Sequence, residues 1–150
     1  MKQKNIKNFF FQRVKEIFGF ALLAFCLFIT VALITYHPLD PSFYASFDDI
    51  VVNKSGRLGA VMASFMLEFF GFSSAIILLF GFNISILSIK KSLPPYMTIR
   101  TIAALISTLC FALFLSYFST SYSWEFISYG GIVGTYLKYL LGNFCLLYTS

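Results

Sequence analysis

The chain predicts an all-α membrane protein: a small bundle of four transmembrane helices, the fourth truncated, with an interfacial amphipathic helix before the second. Three observations predict it. Residues 17–35, 69–89 and 101–118 carry no Asp, Glu, Lys or Arg. Each is about long enough to cross a hydrocarbon layer of ~30 Å as a helix, which takes about 20 residues. Hydrophobic residues make up 59% of the 150 and charged residues only 11%, against about 25% charged in a soluble domain. The net charge of +5 is concentrated in Lys2, Lys4, Lys7, Arg13 and Lys15, ahead of the first apolar run. Beside a membrane helix such a patch is topogenic, facing cytoplasm and anionic lipid, rather than a nucleic-acid site.

The elements follow in order. Residues 1–16 form a basic, Phe-rich lead, and Phe9, Phe10 and Phe11 with Arg13 and Lys15 fit a short interfacial helix entering the bilayer. The membrane domain occupies residues 17–150. Its first helix, about 17–35, ends at Tyr36, an interfacial residue, and Pro38, which cannot continue a helix. The run is longer than the ~7–15-residue apolar core of a signal peptide and lacks a small-residue cleavage site, so it is a retained helix.

The next loop holds Asp40, Asp48 and Asp49 against Lys54. His37 to Ser42 is turn chemistry: Pro38 and Pro41 push their predecessors out of the helical region, and Asp40 and Ser42 bond local backbone groups. The apolar stretch from Ser55 to Ile89 is too long for one crossing, and Glu68 and Gly71 divide it. Residues 56–70 read as an amphipathic helix on the outer interface and 72–89 as the second spanning helix. Lys90 and Lys91 stop it, and Pro94 and Pro95 make a turn. The third helix covers about 99–118. A polar, aromatic connection with Trp124 and Glu125 follows. Gly130, Gly131 and Gly134 lead into a fourth apolar segment, about 132–150. Basic residues set the orientation: five in the lead and three at Lys90, Lys91 and Arg100 place both in the cytoplasm, with the Asp40 and Trp124 loops outside.

Candidate sites are few. Glu68 is an ionisable residue within a long apolar stretch, the default signature of a proton or cation carrier; the plainer reading puts it at the outer interface. His37 beside Asp40 lacks a third metal ligand and reads as turn capping. Lys138 snorkels to the outer interface. Cys26, Cys110 and Cys145 read as membrane-buried thiols with no metal-ligand spacing. Gly56, Gly59, Ala60, Gly71, Gly130, Gly131, Gly134 and Gly142 let helix backbones approach closely. No phosphate loop, nucleophile elbow or His-Glu-x-x-His pair occurs, so no catalytic residue, metal or cofactor is expected in this chain. No repeat of a two-half transporter is evident.

At these residues the sequence resembles a family. Tyr36, Pro38, Asp40, Pro41, Ser42 and Phe43 are similar to the Ser/Thr-Tyr-x-Pro-x-Asp-Pro-Ser-aromatic signature that follows the first membrane helix of FtsK-type DNA translocases. Asn53, Gly56, Gly59-Ala60 and Phe70-Gly71 match its Asn-x-x-Gly-x-x-Gly-Ala and Phe-Gly pattern. Gly130-Gly131, Gly134 and Gly142 match its approach to helix four. The resemblance covers about residues 18–142. It implies the four-helix membrane domain of a bacterial inner-membrane division protein that anchors a linker and a hexameric, ATP-driven motor acting on double-stranded DNA at the septum. The implied partners are the lipid bilayer, division proteins and other copies of the chain; DNA and ATP would be met only through the motor. This chain carries no linker, ATPase or DNA-reading domain, and its end inside helix four reads as a truncation. Two other readings stay open: a proton-coupled four-helix transporter using Glu68, and a stand-alone membrane scaffold.

Overall fold

The computed structural model describes residues 2–42, 51–90, 95–119 and 128–148, and every described element is helical: α1 (Lys2–Ile34), α2 (Gly56–Phe70), one 3-10 turn (Gly71–Ser73), α3 (Ser74–Ile89), α4 (Met97–Phe118) and α5 (Gly131–Tyr148). Three stretches are long and apolar enough to cross a membrane: Gln12–Ile34, Gly56–Ile89 and Met97–Phe118. α5 carries Lys138 and Asn143 and is not among them.

α1 is one helix of 33 residues, about 50 Å long at ~1.5 Å per residue. The basic lead is therefore not a separate interfacial helix. No proline lies between Lys2 and Ile34, and Lys, Gln, Glu and Phe all tolerate helix, so nothing stops the first turns from continuing into the apolar run. α3 runs antiparallel to α1. The Ser88 hydroxyl donates to the Lys15 carbonyl (2.8 Å), and a Cβ on Gly81 would press on Cys26 Sγ. At Gly19 the two helices approach closely: a Cβ would sit 3.0 Å from Ser88 Cβ and from Ile89 Cγ1.

As one straight rod, residues 56–89 would be about 51 Å long, far beyond the ~30 Å hydrocarbon layer. They are broken at Gly71, whose φ of 59° and ψ of −144° end α2. α2 starts beside Phe28 and Ala32 of α1 and ends against the chain just before and at the start of α5. Both of its ends thus lie at the Asp40 end of the bundle, and α2 crosses that end instead of descending through it. This matches the expected helix over 56–70. α4 begins after Tyr96, the one non-glycine residue with positive φ (66°) among the described residues.

Within the helices the buried positions are mostly small: Cys26, Ala32, Ala60, Ala63 and Ala112, with Ser64, Ser73, Ser74, Ser85, Ser88, Thr108 and Ser116, beside one large side chain, Ile29. Small residues let helices pack closely where lipid offers no hydrophobic drive for association. Four of these hydroxyls bond a carbonyl three or four residues back, those of Ser64, Ser73, Ser74 and Thr108, the last to Ala104 (2.8 Å). The large apolar side chains, such as Phe20, Leu79, Ile102 and Phe114, point outward to the lipid. Asp48, Asp49, Lys91, Pro94, Trp124 and Glu125 lie outside the described residues.

Candidate functional site: a polar latch and glycine saddles at one end of the bundle

The Asp40 turn is built as its residues dictate. Asp40 N–H donates to the His37 carbonyl (3.0 Å), closing the turn, and Leu39 N–H donates to His37 Nδ1 (3.3 Å). The Asp40 carboxylate, 4% exposed, then turns inward. It accepts the Val52 N–H (2.7 Å) and the Asn53 N–H (3.0 Å). One side chain thereby joins the two ends of the loop. Pro41 is buried behind it. Tyr36 and Ser42 are half-buried on either side.

Asn53 is the second half of the latch and is equally buried. Its Nδ2 donates to the Ala32 carbonyl (2.8 Å), one of the four carbonyls that a helix end leaves without an intrahelical partner. Its Oδ1 accepts the Ser55 N–H (2.9 Å) and faces the Thr35 hydroxyl (3.0 Å). That hydroxyl also lies 2.8 Å from the Val31 carbonyl, so its single proton serves one acceptor at a time. The latch ties the end of α1, the loop and the start of α2 into one unit. The sequence reading used Asn53 only as a point of resemblance and missed its bonding.

The glycines form two saddles. Gly71 and Gly131 both have positive φ, 59° and 65°. A Cβ on Gly71 would collide with the Tyr129 carbonyl, and one on Gly131 would lie 2.5 Å from the Phe69 carbonyl. The backbones meet there, and Phe72 N–H donates to the Tyr129 carbonyl (3.0 Å). Gly130 and Gly134 sit on α4, where any Cβ would strike the Ala112 carbonyl and Ser116 Oγ. Gly59 has Ala32 and Ser55 at similarly close range, with Ala60 fully buried beside it. The matching stripe on α4, Thr108, Ala112 and Ser116 at intervals of four, was present in the sequence and went unread.

Two expected packing positions show no close approach among the described residues: neither Gly56 nor Gly142 has a described heavy atom within 4 Å of a Cβ position. Gly56 is conformational: its φ of 71° suits glycine. Cys110 faces outward from the bundle on the membrane-length α4, whereas Cys26 is buried between helices. The side chain of Cys145 lies outside the described ones.

Glu68 lies at the Asp40 end of the bundle. Burial raises the pKa of the Tyr36 phenol, and the negative charges of Glu68 and Asp40 raise it further. Lys138 reaches back along α5. Its amine donates to the Ser116 carbonyl (3.3 Å) and stands 5.3 Å from the centre of the Tyr117 ring. This is the expected snorkel, and it places a cation at the carbonyl end of α4, where the helix dipole favours one.

Apolar spanning helices, small-residue saddles and a latched loop define a multi-pass membrane domain. Over residues 12–147 the chain matches the family described as the 4TM region of DNA translocase FtsK/SpoIIIE, and it belongs to that family. It is 31% identical over 134 residues to the DNA translocase FtsK of Brucella melitensis biotype 1, covering 89% of this chain and 16% of that protein. The protein of the same name from Brucella suis biovar 1 matches with the same identity and coverage. That of Pseudomonas aeruginosa is 44% identical over 61 residues, 40% of this chain and 8% of that protein. The chain thus spans 16% of the length of the Brucella relatives. No solved structure matches.

Proposed function

We propose that this chain is the inner-membrane anchor and division-machinery assembly module of a DNA translocase. The observation that carries the reading is the family match across nearly the whole chain, joined to a buried carboxylate and amide, Asp40 and Asn53, that organise the loop after α1. The N-terminus and the Lys90 end face the cytoplasm, supported by exposed Arg13, Lys15, Lys90 and Arg100 at that end. The Asp40 loop faces outward and meets division partners at the septum. Other copies of the chain associate with it, as a hexamer in the full-length protein. ATP and DNA are handled by the motor that such anchors carry.

The test is localisation. The chain, fused to a fluorescent protein, concentrates at the septum of dividing bacteria. Replacing Pro38, Asp40 and Pro41 by Ala together disperses it around the membrane without lowering its amount. Uniform distribution of the unaltered chain, or septal localisation unchanged by the triple substitution, contradicts the reading. Proton-coupled transport through Glu68 is the weaker alternative, because that carboxylate is near Tyr36 at the end of the bundle and not midway along it.

A further inference from the structure

Two side-chain amides face outward from the bundle. Asn83 lies on α3 and Asn143 on α5, and both are exposed. Neither amide makes a hydrogen bond among the described residues. Exposed hydroxyls on the same surface satisfy themselves: Thr135 donates to the Gly131 carbonyl (2.9 Å) and Thr101 to that of Met97 (2.9 Å). The two asparagines do not bond back in this way. Asn83 sits inside the apolar stretch Gly56–Ile89, about two turns or ~10 Å along α3 from Lys90. Hydrocarbon offers an amide no partner, and amides within membranes bond across helices.

The two amides lie at the same depth. Gly71 and Gly131 meet backbone to backbone, and Phe72 N–H donates to the Tyr129 carbonyl (3.0 Å). Asn83 follows Gly71 by as many residues as Asn143 follows Gly131, about 18 Å of helix in each case. The 3-10 turn after Gly71 lengthens the first path by only ~1–2 Å. Both helices set out from the Asp40 end, α3 toward Lys90 and α5 as the last crossing of a family described as a 4TM region. The register matches as well. Ala75, Leu79 and Asn83 are exposed at steps of four on α3, and Thr135, Tyr139 and Asn143 repeat those steps on α5. Such steps keep a set of residues on one side of a helix. Within the chain α3 packs on α1 and α4, and α5 on α4 and α2, which leaves both amide faces uncovered.

We propose that copies of this chain associate inside the membrane through these two faces, Asn83 on α3 of one copy bonding Asn143 on α5 of the next. A second copy is the occupant that fits, because identical chains insert to identical depth and each amide meets its counterpart level with it. A partner of different sequence has to bring an amide of its own to that level. Each carboxamide carries donors and an acceptor, so a facing pair exchanges two hydrogen bonds. The two faces differ, so the contact is head-to-tail. Each pair leaves one face of each kind free, and repetition builds a ring where the rotation closes. The proposal rests on the association of copies stated above and names the surface that carries it.

The test is disulfide trapping in membranes, in the full chain with Cys26, Cys110 and Cys145 replaced by Ala. Leu79→Cys and Tyr139→Cys, one turn from the amides and on the same faces, are placed on two differently tagged copies. Mild oxidation is expected to link the two copies, and a chain with both cysteines is expected to link into a ladder of dimers, trimers and larger species. Asn83→Leu or Asn143→Leu is expected to weaken self-association in vesicles, read by fluorescence transfer, about three- to thirtyfold. Links between two Leu79→Cys copies alone, or self-association unchanged by either leucine, overturn the proposal. Oligomers trapped by an amine-reactive crosslinker without any link from Leu79→Cys to Tyr139→Cys overturn this interface and leave the association of copies standing. Monomers under every crosslinker overturn both, and septal localisation of the same chains is scored separately.

Discussion

Asn53→Ala is the sharpest probe of the latch. The substitution removes the Nδ2 bond to the Ala32 carbonyl and the Oδ1 acceptor of the Ser55 N–H. Asn53 is 4% exposed, so water does not readily replace either partner. A buried polar group left unpaired costs about 1–3 kcal/mol. Two such groups give a loss of about 2–6 kcal/mol. At about 1.4 kcal/mol per tenfold, this is a roughly 30-fold to 20,000-fold shift in the unfolding equilibrium. Thr35→Val is the contrast. Deleting that hydroxyl removes one proton already shared with the Val31 carbonyl, and leaves Lys54 N–H without an acceptor it holds only at 3.2 Å on an exposed surface. Its cost is expected below about 1.5 kcal/mol, near that of a single hydrogen bond. The assay is reversible unfolding in micelles titrated with a denaturing detergent, for both variants and the unaltered chain. An Asn53→Ala loss below about 1 kcal/mol, or equal to that of Thr35→Val, refutes the latch.

Three other outcomes follow from the same coordinates. Gly134→Val drives a side chain into the Ala112 carbonyl and Ser116 Oγ; overpacking of this kind costs about 1–3 kcal/mol, and the same unfolding assay reads it. Tyr96→Gly relieves a left-handed backbone at an exposed turn and, after glycine's own entropy cost, raises stability by up to about 1 kcal/mol. The raised pKa of Tyr36 favours its neutral form in the folded state. Its contribution to stability is therefore complete below the unfolded value near 10 and is lost as pH rises through the higher folded value. Ultraviolet titration against Tyr36→Phe isolates this phenol, and Glu68→Gln lowers its midpoint.

What the sequence discloses tracks how local each cause is. The limits of α2 were legible because Gly71 and the change of composition at Ser55 are local signals. The Asp40 turn was legible because two prolines and an Asp within four positions constrain the backbone directly. Asn53 was not. It carries no charge or periodicity, and its chief partner, Ala32, lies 21 residues away. Gly19 was hidden for the same reason, since its close neighbours, Ser88 and Ile89, come from another helix. Gly56 misled because one residue type serves two physical ends: a positive φ, as here, and a close approach look identical in a sequence.

The central claim is that residues 1–150 form a membrane anchor that assembles with the division machinery. The measurement that tests it most directly replaces the matching region of the Brucella melitensis DNA translocase FtsK, similar over 134 residues, with this chain, and scores membrane retention and cell length in dividing cells. The account predicts a hybrid held in the membrane, gathered at the septum and supporting division, with Asn53→Ala weakening all three. A hybrid that stays in the membrane at normal levels while cells filament as they do without any such region would contradict it.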